Sequence, residues 1–447
     1  MIDSRSIFDK LGREAVWQRI LQLKGGYMKR LIPMLLILSL PSFSFANGNS
    51  EESYFVKIPA KNAVERTKIA SYGIAIEEIL SDYIFGTAPL DLIEAVKDKF
   101  PGMDFYPVSS VLDFPKEDER YHNFEEILQF YSTISQNNPQ IIKVVEIGRS
   151  LEDRPIHAIL ITDFANEGEE EKEPAILFLG THHAREHLST EVPIYLTEKL
   201  IEGYGTNQRI TDLINHREIW IIPLVNPDGT IFDTDGGRYK SWRKNRSQNY
   251  DGSSGVDLNR NYGYMWGKEG SSGNPRSETY RGPAAWSEPE VVSIREFVLN
   301  HTNISILLTY HTYSELILYP WGYTYDPIAD QRAQAVFVEM ANKMAAMTNY
   351  TPMPGSDLYL VSGETCDWAW GERGIFGFTF ELYPIRWGRE GFYPGDEIIP
   401  TVGALNLEPA LYLIDLADDP YRAISKNIFD PLAKSGLEIP LNVESIF

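Results

Sequence analysis

The residues able to do chemistry in this chain collect where apolar, β-branched runs end. Ala175–Leu179 runs into Gly180-Thr181-His182-His183-Ala184-Arg185-Glu186-His187, and Ile219–Leu224 runs into Asn226-Pro227-Asp228-Gly229. Likewise Ile304–Tyr310 runs into His311, and Gly377–Phe380 into Glu381. In open α/β sheets ligands bind outside the C-terminal ends of the strands, so a fold of that class would bring these points together. A catalytic zinc takes three protein ligands from His and carboxylate and keeps one position for water. The first run offers His182 or His183 with Glu186, or His183 with His187, and spacing leaves that choice open. In isolation such a cluster is equally compatible with surface ion pairs.

A second constellation tips the balance. Trp242-Arg243-Lys244-Asn245-Arg246 and Val256-Asp257-Leu258-Asn259-Arg260-Asn261 set guanidinium groups beside Asn side chains within a Gly/Ser-rich loop region. Arginine forks match carboxylates bidentately, as capture of a peptide's terminal carboxylate requires. Arg243 and Arg260 are the candidates for that work. Lys244, Arg246 and Asp257 are expected to act as salt bridges that hold the loop.

Positioning these groups needs alternating strands and helices. Apolar runs at Ile141–Ile147, Ile156–Ile161, Ala175–Leu179, Glu218–Leu224, Ile304–Tyr310 and Gly377–Leu382 read as strands, with helical segments at Glu191–Gly203, Glu288–Leu299 and Gln331–Met347. The pattern predicts an α/β fold with a mixed, mostly parallel sheet flanked by helices, over residues 118–418. Ahead of it, residues 47–117 read as a small α/β domain: β-like at Tyr54–Ile58, with helix-like periodicity through Thr67–Tyr83 and Pro89–Phe100. The charged link Phe114-Pro115-Lys116-Glu117-Asp118-Glu119-Arg120 is a candidate proteolytic site. Residues 419–447 are too short for a domain and carry no functional reading.

Bulk properties narrow the class. A formal charge of -22, from 63 acidic against 41 basic residues, argues against nucleic-acid and anionic-membrane partners. The single cysteine, Cys366, rules out an internal disulfide and a thiolate zinc site. Met28-Lys29-Arg30, the apolar run Leu31–Leu40 and Ser44-Phe45-Ala46 have the form of a secretory signal over 28–46, too short to span a bilayer. Residues 1–27 read as a non-native or misassigned extension, with translation expected to start at Met28, and the product is expected to be secreted, extracellular or periplasmic.

At this point the chain resembles the zinc carboxypeptidases of the A/B type, as a bacterial secreted member. The matches run in family order through His183-Ala184-Arg185-Glu186, Asn226-Pro227-Asp228-Gly229, Trp242-Arg243-Lys244, Asp257-Leu258-Asn259-Arg260-Asn261, His311-Thr312-Tyr313, Tyr359 and Phe378-Thr379-Phe380-Glu381, over roughly residues 120–416. The resemblance implies one zinc held by His183, Glu186 and His311, with His182 outside the ion. Glu381 would be the general base toward a zinc-bound water, and Arg243 would steady the oxyanion. Asn259, Arg260 and Tyr359 would hold the substrate's terminal carboxylate, and Arg185, Tyr313 and Phe392 would line subsites further along the peptide. Asp257, by its match, would orient a ligand imidazole or a loop. The side-chain pocket would have Cys366 at its floor, with Leu318, Gly322, Val361 and Thr379 nearby. That lining favours apolar or aromatic terminal residues, with mixed preference if Glu364 points inward.

Departures from the family pattern add expectations. Animal members carry a disulfide after the Trp-Arg-Lys motif; here Gly/Ser packing is expected to set the loop around Ser247–Gly255. The 47–117 segment stands where the family's zymogens carry an inhibitory domain, so inhibition relieved by an activating protease near Lys116–Arg120 is expected. The partners expected are peptide and protein C-termini, for a monomer with no membrane span in its mature form. Acidic surface loops leave room for structural calcium. Two rival readings are a related zinc hydrolase acting on cell-wall peptides and a non-catalytic peptide-binding module; the latter would be expected to lack Glu381 or a ligand.

Overall fold

The computed structural model describes residues 53–107, 118, 120–164, 173–235, 239–385 and 391–425. The expected 1–27 extension, the signal at 28–46, most of the link before Arg120 and the tail beyond residue 425 therefore lie outside the described residues. The described residues form one compact unit, which contains two sheets.

The first sheet is built from β1 (Ser53–Pro59), α1 (Ala63–Ser71), β2 (Ala75–Ile79), β3 (Tyr83–Pro89), α2 (Leu90–Val96) and β4 (Asp104–Pro107). It is antiparallel with order β2-β3-β1-β4, and Val56, Ile58, Ile69, Ile74, Ile84 and Ile93 fill its core. The helical expectation over Thr67–Tyr83 is corrected here. Asn62 caps α1, the helix stops at Ser71, and Gly73 at φ +99° turns the chain into β2. Ala75–Ile79 then pairs with β3 from Ala75↔Thr87 to Ile79↔Ile84. A short apolar–acidic stretch satisfies either period, and the partner strand decides which is used.

The second sheet has eight strands: β5 (Ile142–Arg149), β6 (Pro155–Ile161), β7 (Ala175–Leu179), β8 (Glu218–Ile222), β9 (Ile304–Thr312), β10 (Leu316–Tyr319), β11 (Thr351–Pro354) and β12 (Phe376–Leu382). Around it lie α3 (Phe124–Asn137), α4 (Leu188–Gly203), α5 (Gln208–Ile214), α6 (Pro227–Thr234), α7 (Pro289–Asn300), α8 (Gln331–Thr348), α9 (Gly355–Leu358), α10 (Thr365–Arg373) and α11 (Ile399–Leu416). The order is β11-β10-β12-β9-β7-β8-β6-β5, and the central β12-β9-β7-β8 are mutually parallel. Every residue of β7 and β8 is buried, as expected of strands covered on both faces. Alternate side chains of β7 divide between two cores. Ile176 and Phe178 face α4, α8 and α11, whereas Leu177 and Leu179 face α7 and α10.

A 3₁₀ turn at Pro420–Ile424 sets Tyr421 against Phe376, ring centres 5.5 Å apart, and Arg422 pairs with Asp415 at 2.9 Å, so residues through 425 belong to this unit. Among the described residues no helix is long and apolar enough to cross a membrane.

Candidate active site

Strand register assembles the chemistry. Parallel pairing of β12 with β9 sets Glu381 beside His311, and pairing of β7 with β9 sets Leu179 beside Thr309. The turn after β7 therefore hangs over His311. Gly180 begins that turn with no room for a side chain: an added Cβ would lie 2.2 Å from the Ser189 carbonyl oxygen and 2.6 Å from that of Pro223. Asn226 locks two loops at once, its amide donating to the carbonyls of His182 (3.1 Å) and Lys244 (3.2 Å) while its oxygen caps α6 at Gly229.

Three ligand atoms converge. His183 Nδ1 lies 2.7 Å from Glu186 Oε1, His311 Nδ1 lies 3.0 Å from Glu186 Oε2, and the two Nδ1 atoms are 3.1 Å apart. Ligand bonds to zinc of about 2.0–2.2 Å suit such a set. His183 Nε2 sits 3.1 Å from Asp257 Oδ1, which selects the tautomer leaving Nδ1 free for a cation. Burial, aided by the nearby Arg243 charge, lowers the pKa of His183 to about 4 and of His311 to about 3. Both rings are then neutral at physiological pH, the state a metal requires. The open choice among histidines closes on geometry. His182 is turned to Tyr262 Oη (2.8 Å) and stacks on His311, and His187 pairs with Asp233 at 2.9 Å.

Arg243 and Glu381 border this centre. Burial disfavours the Arg243 charge, but Asp257, Glu77 and Glu186 outweigh it, and Nε and Nη2 each reach Asp257 Oδ2 at 3.0 Å. Burial, with Glu186 and Glu77 close by, pushes the Glu381 carboxyl well above the ordinary range. Lys244, expected to hold the loop through a salt bridge, instead donates to the carbonyls of Pro275 (3.0 Å) and Ser277 (3.1 Å).

The loop without a disulfide is set differently from expectation. Gly/Ser packing contributes, but its hub is polar. The Asn245 amide bridges two buried carboxylates, Glu288 at 2.7 Å and Glu290 at 3.2 Å, while its oxygen accepts from Val256 N at 2.8 Å. Burial pushes Glu290 up from 4.5 to about 7. The folded chain thus keeps a proton there that the unfolded chain loses above about pH 4.5. Stability should fall by an amount on the order of 3 kcal/mol between pH 4.5 and 7 on this account, and stay lowered above. Glu290→Gln is expected to flatten that slope in urea unfolding followed against pH; parallel slopes for variant and parent would refute the assignment.

One cleft gathers most of the remaining candidates. His183, Glu186, Arg243, Asn259, Arg260, His311, Tyr313, Tyr359 and Glu381 line it, as do Leu318, Gly322, Val361, Glu364, Cys366 and Thr379. Asn259 is oriented by Thr365, whose backbone N–H (3.0 Å) and hydroxyl (2.8 Å) donate to its oxygen, and Arg260 Nη1 donates to the Asn259 carbonyl at 2.7 Å. Cys366 Sγ lies 3.3 Å from Thr379 Oγ1. Glu364 does border the pocket, yet both its oxygens accept from backbone N–H groups, of Cys366 at 2.9 Å and Asp367 at 2.5 Å. Arg185 and Phe392 are not among the residues that line the cleft but pack behind Tyr313 and Glu77, which do. The guanidinium bonds the Glu77 carboxylate and lies 4.2 Å above the Phe392 ring, which meets Tyr313 edge-on at 5.0 Å.

Two acids escaped the sequence reading. Asp367 lies behind the pocket, accepting from Gly322 N and Tyr323 N at 2.9 Å each, and burial with the neighbouring Glu364 pushes it well above the carboxylate range. Its position three residues after Glu364 in a capped helix was the available signal. Glu77, from β2 of the first sheet, enters the cleft and bonds Arg185 Nη2. Around it α1 grips the Tyr359 loop: Arg66 donates to the carbonyls of Asp357 (2.7 Å) and Leu358 (2.6 Å), and Leu360 N donates to Thr67 Oγ1 at 2.9 Å.

An α/β scaffold with two imidazoles and a carboxylate converging where one cation would fit, beside an enclosed carboxyl and guanidinium, defines a metal-dependent hydrolase. Comparison with known proteins agrees. The family model described as "Zinc carboxypeptidase" matches residues 127–408. A zinc carboxypeptidase of Saccharothrix mutabilis subsp. capreolus is 38% identical over 308 residues, covering 66% of this chain and 69% of that protein. Carboxypeptidase A1 of Homo sapiens is 35% identical over 288 residues, covering 63% of this chain and 66% of that one. The crystal structure of carboxypeptidase A from Helicoverpa armigera has a TM-score of 0.67 at 22% identity, covering 85% of this chain and 99% of that one, a likeness of fold. The chain belongs to the zinc carboxypeptidase family, and its His183, Glu186 and His311 hold zinc.

Proposed function

We propose that this chain is a secreted zymogen whose catalytic unit removes single residues from peptide C-termini. The reading is carried by one observation: a single cleft is lined both by the three metal ligands and by Asn259, Arg260 and Tyr359, a guanidinium flanked by hydrogen-bonding side chains. Zinc bound there supplies a Lewis acid and makes water more acidic. Glu381 takes the proton of the attacking water on its carboxylate and delivers it to the leaving amine. Arg243 stabilises the oxyanion that develops on the scissile carbonyl, from a guanidinium already pinned by Asp257. Arg260, Asn259 and Tyr359 hold the terminal carboxylate, which sets the cut one residue from the end.

The pocket around Cys366, Leu318, Gly322, Val361 and Thr379 favours apolar or aromatic terminal residues. Glu364 and Asp367 give it a secondary tolerance for Lys and Arg, since an incoming cation would draw charge onto an acid pair otherwise held up by burial. Residues 47–117 inhibit by two contacts, with Glu77 in the cleft and Arg66 and Thr67 clamping the backbone around Tyr359. An activating protease cutting near Lys116–Arg120 relieves both.

The test uses the full chain with zinc, before and after limited proteolysis, on blocked dipeptides ending in Phe, Leu, Lys, Glu or their amides. Release of Phe and Leu is expected to exceed that of Lys, with little from Glu, and to require both the cut and the metal. Equal hydrolysis of free and amidated termini, or activity that survives a chelator, would sink the reading.

A further inference from the structure

Arg185 is a buried cation that shares two acids, Glu77 of the first sheet and Glu278 of its own unit. Its guanidinium is fully enclosed against the Phe392 ring. Nη1 is held by its own unit, donating to Ser241 O at 3.2 Å with Glu278 Oε2 at 3.6 Å. Nη2 faces only groups of the first sheet, the Glu77 carboxylate and Thr87 Oγ1 at 3.1 Å. Among the described residues Nε has no hydrogen-bond partner, and neither has Glu278 Oε2. Glu77 is itself braced as a plug: Thr87 Oγ1 donates to its carboxylate at 2.8 Å and Ser314 Oγ donates to its carbonyl at 3.3 Å.

Removal of residues 47–117 takes both Nη2 partners away and uncovers that side of the guanidinium, while Glu278 stays within ion-pair range of Nη1 at 3.6 Å. Nη2 then has no protein acceptor, and a charge-assisted hydrogen bond is stronger than a neutral one, so the vacated place favours a carboxylate over a neutral acceptor. The terminal carboxylate of a substrate is, on the proposed reading, taken by Arg260. Resting on the carboxypeptidase reading, we infer that the activated cleft selects an acidic side chain upstream of the released residue, seated on Arg185 where Glu77 sits in the zymogen. The chain's net charge of -22 repels acidic peptides at long range, so the selectivity belongs to this seat.

The experiment uses the zinc-loaded full chain activated by limited proteolysis, with the fragments left together. Its substrates are blocked peptides ending in Phe, identical except for Glu or Gln at each of the three positions before that residue. At one position Glu is expected to raise kcat/KM over Gln by roughly tenfold, chiefly through KM, the scale of a charge-assisted hydrogen bond. Arg185→Gln should bring that ratio to about one, whatever the absolute rate, and Arg185→Lys should restore part of it. Glu/Gln ratios within about twofold of one at all three positions would overturn the proposal while leaving the carboxypeptidase reading intact. Failure to release Phe from any peptide would overturn that reading, and this one with it.

Discussion

Replacing Glu381 by Gln is expected to lower kcat by about 10²- to 10⁴-fold, the usual contribution of a positioned proton acceptor, while the chain retains its zinc. Glu381 is on β12, in register with His311, yet it is not among the atoms that converge on the cation. The amide keeps the shape and loses the ability to bind the proton. Metal content by atomic absorption beside single-turnover rates separates the two roles. Loss of zinc in the variant would mean that Glu381 is a ligand and that the base lies elsewhere. In the parent, burial and the acids around Glu381 raise its pKa. Because the ionised form is the one that accepts a proton, kcat/KM should climb with pH through a limb above the ordinary carboxylate range. That limb should vanish in Glu381→Gln.

Asp257→Asn should be almost as damaging, through zinc. Asp257 takes no part in the proposed chemistry, but it accepts from His183 Nε2 (3.1 Å), Arg243 Nε (3.0 Å) and Asn259 N (3.0 Å). Burial works against its charge, but Arg243, Arg260 and His183 prevail and hold it well below the usual range. Its contribution to stability is therefore complete at neutral pH and is lost as the pH falls through that depressed value. The neutral amide would free the His183 tautomer and leave Arg243 underneutralised. Zinc affinity should weaken about 10- to 100-fold, the range seen when a carboxylate behind a ligand histidine is changed. Unfolding stability should drop by roughly 3 kcal/mol, as for a buried charge stripped of its partner. Competition with a zinc-binding dye and urea unfolding at pH 7 would check both. An unchanged zinc affinity would show that His183 needs no help to face the metal.

Much of this was legible in the amino-acid sequence because it is written locally. The strands β7, β8, β9 and β12 are continuous apolar runs, and the polar residues that end them are consecutive, so both the α/β class and the candidate ligands follow from neighbours in the chain. The ordered matches to a family then sorted His183 from His182 and His187, which spacing had left open. What only the tertiary structure decided depends on distant pairs. Which imidazole nitrogen faces the cation is set by Asp257, 74 residues from His183. One of the two acids beside Arg185 is Glu77, 108 residues earlier, and the hub replacing a disulfide joins Asn245 to Glu288 and Glu290. A buried charge takes whichever partner the packing brings within hydrogen-bond range, and no spacing along the chain encodes that distance.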